Sequence, residues 1–372
     1  MRYIYWILCL GAGMAITSSC IREEAPNAEA DILSCTVEGD ILKREPIIEN
    51  NKVTLMVKAD ADLLHQAPQF ELTPGATISP ASGTELSFIK PQYYTVTSED
   101  RKWTKEYEVS YVIAGINREY HFERVRQEKG SSYVYDVFFD MDSVTGNMID
   151  WASGNIGFAL IGKGSTDPAS FPTSSTSEGY IGKGVKLVTM DTGSFGATLG
   201  MPIAAGNLFM GTFQINLGNA LKSLKLGMPF THVPTYLKGY YKYKAGERYQ
   251  EKGTVVEGKK DTWDLYAVFY EVTADVQTLD GTIVEDNYSH PNIVSVALLD
   301  EAERVEADQW TEVYIPFVMK SGKTIDRQKL ENGGYNVTIV ASSSKDGNYF
   351  YGAPGSTLYI DELELICMDD EE

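Results

Sequence analysis

Histidine and cysteine are scarce in this chain, at four each in 372 residues. His65, His121, His232 and His290 stand far apart, with none of the short spacings that zinc sites use. Cys9 falls in an apolar leader and Cys20 at its end, which leaves Cys35 and Cys367 in the body. One bridge between those two, or two unrelated thiols, is equally compatible with the sequence. Basic residues are in deficit as well. Lys+Arg number 32 against 52 Asp+Glu, and the net charge of −20 repels nucleic acid and excludes it as a partner. The leader from Ile4 to Ile16 is the longest apolar run, and it is too short to span a bilayer. Gly162-Lys163-Gly164 and Gly182-Lys183-Gly184 sit in repeated Ile-Gly-Lys-Gly strings that lack the spacing of a phosphate loop. No Gly-x-Ser-x-Gly elbow is present, so serine-hydrolase chemistry has no motif behind it.

Strand-forming material is plentiful. Tyr 23, Phe 14 and Gly 33 lean towards strands and turns, and a hydrophobic share of 43% supplies ample core for two or three domains. The N-terminus carries an address. Met1-Arg2 precedes the apolar run, and Thr17-Ser18-Ser19-Cys20 closes it with small residues before a cysteine. This resembles a bacterial lipoprotein signal over residues 1–19, with Thr17 where leucine is usual. The resemblance implies that Cys20 is lipidated and anchors the chain in a membrane. An ordinary cleaved signal or a short buried helix stays open. Residues 20–30, with Glu23, Glu24 and Glu29, read as a solvated acidic linker. They are similar to the tract that sends Bacteroidota lipoproteins to the outer cell surface. A surface-exposed outer-membrane location is therefore expected, a periplasm-facing one being the alternative.

From 31 to 114 short alternating runs are broken by turn residues. Ile32–Val37, Lys52–Val57 and Trp103–Val112 have period-two character, and Thr73-Pro74-Gly75 marks a turn. An immunoglobulin-like β-sandwich is expected, without an acid–base or nucleophilic constellation. The order Phe70–Gly83, Tyr94–Asp100, Trp103–Val109 resembles the Ig-like domains of Bacteroidota surface proteins, which implies a spacer.

Residues 118–368 keep the same habit with longer loops. Val134–Phe139, Ala267–Val272 and Val337–Ala341 read as central strands, and Thr357–Leu365 alternates cleanly. Short helices are expected near Ala220–Leu224 and Asp326–Leu330, and a long exposed loop from Gly164 to Gly179. The whole predicts an all-β chain whose second domain is a jelly roll. Tyr120–Glu123, Trp151–Asn155, Gly227–Thr231, Leu237–Tyr243 and Gly355–Leu363 occur in that order. Together they resemble the carbohydrate metabolism domain (PCMD) of gut Bacteroidota lipoproteins. That resemblance implies a carbohydrate-linked surface protein with a galactose-binding or carbohydrate-binding-module-like sandwich, and no defined reaction.

Three chemistries follow for the second domain. In jelly-roll carbohydrate-binding modules a Phe-Glu near the start and an Asp near the end hold one structural calcium, which implies Glu123 and Asp361 here. The alternative is that both are surface carboxylates. Sugars stack on aromatic rings with amides and charges at their hydroxyls, which makes Trp151, Tyr180, Tyr240, Trp263, Tyr288, His290, Asn348, Tyr349 and Tyr351 candidates. Against each stands an ordinary place in the core. Paired carboxylates for glycoside hydrolysis are proposed at Asp264 with Glu271, or Glu362 with Glu364, although accidental pairs abound among 52 acids. The expected partner is therefore a glycan, bound without catalysis. Hydrolysis of a polysaccharide and a structural or adhesive role within a surface protein complex are the alternatives.

Overall fold

A computed structural model describes residues 26–43, 45–58, 61–113, 117–141, 148–216 and 218–368. The lipoprotein signal with Cys20, and the Gly115-Ile116 part of the expected junction, lie outside them. The fold is almost wholly β.

The first domain is an Ig-like sandwich. One sheet has the order Ile47–Glu49, Lys52–Val57, Thr104–Ile113, Gln92–Thr97, Thr77–Ser79, and Ile32–Thr36 pairs with Gln69–Leu72 in the second. Among the described residues only the pairing of Lys52–Val57 with Thr104–Ile113 is parallel. Val53, Leu55, Tyr94, Val96, Tyr107 and Val109 fill the core, as period-two alternation on one dry face dictates.

The second domain is a double antiparallel sheet of jelly-roll type. One sheet runs Thr173–Thr176, Gly184–Val188, Thr357–Cys367, Pro234–Lys244, Ala307–Met319. The other runs Ile293–Leu298, Asp264–Glu271, Tyr335–Ser342, Asn207–Phe213, Met148–Ala152, and continues to Val134–Met141. The strand Ala307–Met319 belongs to both. It pairs with Pro234–Lys244 as far as Pro316, then with Ile293–Leu298 from Phe317. Asp264–Glu271 and Tyr335–Ser342 show no alternation because both their faces are dry. The inner face meets the sandwich core, and an outer apolar layer of Phe209, Tyr266, Val268, Tyr270 and Ile293 covers the other. Pro234–Lys244 alternates because its outer face is wet.

The short helices occur where expected, as a 3-10 turn at Ala220–Ser223 and an α-turn at Arg327–Glu331 capped by the Asp326 side chain. The expected exposed loop from Gly164 to Gly179 is corrected. Phe171 is fully buried and Thr173–Thr176 is a strand, because the Asn155 carboxamide pairs with both backbone groups of Thr173 and Asp136 takes the Ser175 N–H and hydroxyl. Polar side chains there satisfy the backbone from inside rather than facing water. Cys35 and Cys367 are buried thiols in separate cores.

The domains meet through charge. Asp150 binds Arg126 at 2.6 Å and Lys52 of the first domain at 3.3 Å, and Lys52 also reaches Glu108 at 3.4 Å. Lys43 donates to the Glu331 carbonyl at 2.9 Å. Burial pushes the Asp150 carboxyl up, but the two cations outweigh it and hold it below the usual range.

Candidate functional site

The wet face of the first-named sheet carries the site. Along Pro234–Lys244, Leu237, Tyr241 and Tyr243 point into the core, while Tyr236, Lys238, Tyr240 and Lys242 point outward. On the neighbouring strand Trp310, Glu312 and Tyr314 share that outer face, with Tyr314 49% exposed. Tyr236 and Tyr314 lie 4.4 Å apart, tilted by 30°. Tyr240 stacks on Tyr180 at 3.8 Å and 8°, and Trp310 meets Tyr180 edge-on at 6.2 Å. Tyr180, 44% exposed, comes from the hairpin between Thr173–Thr176 and Gly184–Val188. Its hydrogen bond with Tyr240, more than burial, raises the Tyr240 phenol above the ordinary tyrosine value. Tyr359 stands between Lys186 and Lys242 in register across three strands, with their ammonium groups 6.0 and 4.7 Å from its ring. Lys242 also lies 4.8 Å from the Trp310 ring.

The hairpin that carries Tyr180 is held by the two carboxylates assigned to calcium. Asp361 Oδ2 accepts the Ile181 N–H at 3.0 Å, and Glu123 Oε1 accepts the Lys183 N–H at 2.8 Å. A bulge makes this possible. Lys238 faces Glu364 and Tyr240 faces Asp361, so Gly239 alone on one strand opposes Glu362 and Leu363 on the other. Glu362 takes φ +49° there, and Phe122, beside Glu123, takes φ +52°. Left-handed backbone at non-glycine residues costs of order 1–3 kcal/mol each and gathers at functional sites. The bulge turns Asp361 inward beside Ile360, to 0% exposure. Burial pushes its carboxyl up to about 6, against the pull of backbone donors from Ile181, Glu362 and Tyr180. A dry carboxylate so placed, with another on the same hairpin, fits a hard cation, since both retain lone pairs beside their N–H partners. Among the described residues no three His, Cys, Asp or Glu side chains gather in one group, so backbone oxygens would have to complete such a shell.

At one end the face opens into a cleft of about 720 Å³, with Lys186, Lys242 and Tyr359 on its floor and Gln250, Pro354 and Gly355 in its wall. Buried Asp261 fixes that wall, accepting the Ser344 and Ser356 hydroxyls at 2.6 Å and the Ala353 N–H at 2.7 Å.

Of the proposed aromatic contacts, the fold brings together Tyr180 and Tyr240. Trp151, 3% exposed, packs on Tyr120 and Phe122 and donates to Asp140 at 2.7 Å. Trp263, at 0%, packs on Tyr241 and donates to the Val305 carbonyl. Tyr288 is buried against Tyr266. These three side chains pack into the apolar interior, away from the outer face that carries Tyr180 and Tyr240. His290 accepts the Asn292 N–H in the turn before Ile293–Leu298, on the other sheet. Tyr349 ends the 3-10 turn Gly347–Tyr349, Tyr351 follows it beside Gly352, which bridges to Gln250 in the cleft wall, and the Asn348 side-chain amide oxygen is turned inward. Sequence reasoning missed Trp310, Tyr236, Tyr314 and Tyr359. The alternation Trp310, Glu312, Tyr314 within Ala307–Met319 was the available signal.

Neither carboxylate pair suits hydrolysis. Asp264 bonds Arg304 at 3.0 Å and Glu271 is ion-paired with Lys329. The two sit seven residues apart on one strand, hence on opposite faces and about 23 Å apart, against the 5–10 Å that glycoside hydrolysis uses. Glu362 engages His121 at 2.8 Å and Glu364 engages Lys238 at 3.5 Å.

Comparison with known proteins follows the same division. Residues 32–110 match the family "SGBP, N-terminal". The chain is 48% identical to a putative glycoside hydrolase from Bacteroides thetaiotaomicron VPI-5482, over 93% of this chain and 99% of that one, with a TM-score of 0.79. A putative glycoside hydrolase from Bacteroides vulgatus ATCC 8482 is 47% identical over 68% of this chain and 99% of its own, with a TM-score of 0.64. Among curated proteins none matches. Residues 121–366, which hold the aromatic face, its hairpin and the cleft, match the family "Putative carbohydrate metabolism domain", and the chain belongs to that family.

Proposed function

We propose that this chain is a non-catalytic, glycan-binding lipoprotein of the outer cell surface. Lipid on Cys20 anchors it, residues 31–114 act as a spacer, and the sandwich of residues 118–368 presents its aromatic face to the ligand. The Tyr180–Tyr240 stack carries this reading. The two rings cover each other's inner faces, and the outer face of the pair, flanked by Trp310 and by the cleft, offers the flat apolar surface on which a pyranose packs its C–H groups. Calcium held by Glu123 and Asp361 would neutralise the buried carboxylate and stiffen the Tyr180 hairpin. The "SGBP, N-terminal" match supports display at the surface.

The test is a glycan array on the purified chain, with calcium and with a chelator, followed by calorimetry on Tyr240→Ala. Burying roughly two fifths of a tyrosine's ~200 Å² at ~25 cal/mol per Å² gives about 2 kcal/mol, or an affinity loss of about 30-fold. Affinity equal to wild type would remove the aromatic face from the reading. A calcium-dependent rise in melting temperature, absent in Asp361→Ala, supports the cation, and no rise discards it. Binding to no glycan moves the weight to a structural or adhesive role. The two relatives described as putative glycoside hydrolases favour hydrolysis as the second reading. Release of reducing ends from a bound glycan would establish it.

A further inference from the structure

The cleft beside the aromatic face carries a charge that the chain as a whole does not. Net charge is −20, and Lys52, Lys58, Lys105, Lys238, Lys259, Lys260 and Lys329 each lie within ion-pair distance of a carboxylate. Lys186 and Lys242 are among the lysines without such a carboxylate partner, and they stand together in the cleft. Both line the cleft, and among the described residues neither forms an ion pair; each is held over an aromatic ring instead. A ring orients an ammonium without neutralising it, so the positive charge stays available to a ligand. Lys244 and Arg248 add two more cations to the lining, while Asp191, Glu247 and Asp308 are its acids. The register fixes the arrangement. Lys186, Tyr359 and Lys242 are direct neighbours on Gly184–Val188, Thr357–Cys367 and Pro234–Lys244. Adjacent strands lie about 4.8 Å apart, which spaces the two lysine stems by about 10 Å across the ring. Two like charges at that separation repel, and among the described residues no carboxylate is in ion-pair contact with either lysine. An anion between the two ammonium groups relieves this.

We propose that the cleft receives the anionic group of an acidic glycan, a uronate carboxylate or a sulfate ester, while neighbouring sugar units lie on Tyr180 and Tyr240. The inference rests on the glycan-binding reading and narrows it to a substrate class. The aromatic stack supplies affinity for a sugar ring, and the lysine pair selects the charged one. Ammonium groups suit both anions as point charges, so carboxylate and sulfate must be told apart by experiment.

The experiment is calorimetry on the full chain with polygalacturonate, with a sulfated galactan that carries no uronate, and with neutral galactan and dextran. It is run at about 50 mM and about 500 mM NaCl, which shortens the screening length from above 10 Å to below 5 Å. An acidic polymer should bind, weaken at high salt, and lose about tenfold in affinity in Lys186→Gln/Lys242→Gln. Lys222→Gln/Lys225→Gln, away from the cleft, should bind like wild type. Preference for polygalacturonate assigns the carboxylate, and preference for the sulfated galactan assigns the sulfate. Tight binding of a neutral glycan that the cleft variant does not alter overturns the inference and leaves glycan binding standing. Equal losses in the two double variants also overturn it, by reducing the effect to overall charge. Binding to none of the polymers overturns it together with the reading beneath it.

Discussion

Gly182→Ala tests how the binding face is assembled. Gly182 takes φ +65° in the hairpin that carries Tyr180, and a Cβ built there would stand 1.9 Å from Glu123 Oε1. Two costs follow. Alanine in left-handed backbone is disfavoured by roughly 1–2 kcal/mol. The Glu123 carboxylate must also withdraw from the Lys183 N–H, a hydrogen bond of 2.8 Å to a charged acceptor worth about 1.5–3 kcal/mol. Together about 3 kcal/mol is set against the hairpin conformation that lays Tyr180 on Tyr240. Tyr180 and Ile181 are both exposed, so the hairpin tip places neither side chain in the core. The expected result is therefore a large loss of glycan affinity, approaching the ~30-fold of a lost stacking ring, with only a few degrees off the melting temperature. Gly200→Ala is the matched control. It has φ +80° and nothing within 4 Å of the built Cβ, so it carries backbone strain alone and should leave binding intact. Calorimetry reads affinity, and proteolysis of the 177–184 segment reads hairpin opening. Wild-type affinity and wild-type protection in Gly182→Ala would refute the claim that Glu123 positions Tyr180. A double variant gives a second check. With Glu123→Ala already present the clash is gone, so Gly182→Ala should add only the strain term.

Asp150→Ala removes the carboxylate shared by Lys52 and Arg126 and leaves two cations facing each other. These side chains are partly solvated, so the expected cost is about 2 kcal/mol in denaturant titration, below the range for a fully buried pair. The Asp150 carboxyl is held below its ordinary 3.8, so its stabilisation is present above that value and lost as pH falls through the lower folded one. The gap between wild type and Asp150→Ala should therefore close on acidification towards about pH 2, and a gap that stays constant would contradict the ion-pair account. Trp263→Phe is expected to cost about 2–3 kcal/mol through a cavity and the lost bond to the Val305 carbonyl, with glycan affinity unchanged in the folded protein. Selective loss of affinity at full stability would return Trp263 to the ligand.

Period-two alternation, turn residues and the scarcity of long helical patterns determined an all-β chain without help from tertiary structure. Leu237 to Tyr243 illustrates this, since period-two alternation alone puts Leu237, Tyr241 and Tyr243 on one face and Tyr240 and Lys242 on the other, as the structure does. The same alternation holds no information about which outward residues become neighbours. Tyr180 and Tyr240 are 60 positions apart, and their stacking follows from a hairpin pinned by Glu123 from a distant loop and by Asp361 from the strand Thr357–Cys367. Trp151 and Trp263 resembled ligand aromatics because side-chain chemistry is the same on a dry face and a wet one. Asp264–Glu271 and Tyr335–Ser342 lost their pattern under a second apolar layer that local sequence does not encode. Local periodicity sets the pleat of each strand. Long-range pairing sets which faces are covered, which carboxylate is dry, and which lysines stay without a counter-ion, because those depend on what every other strand buries.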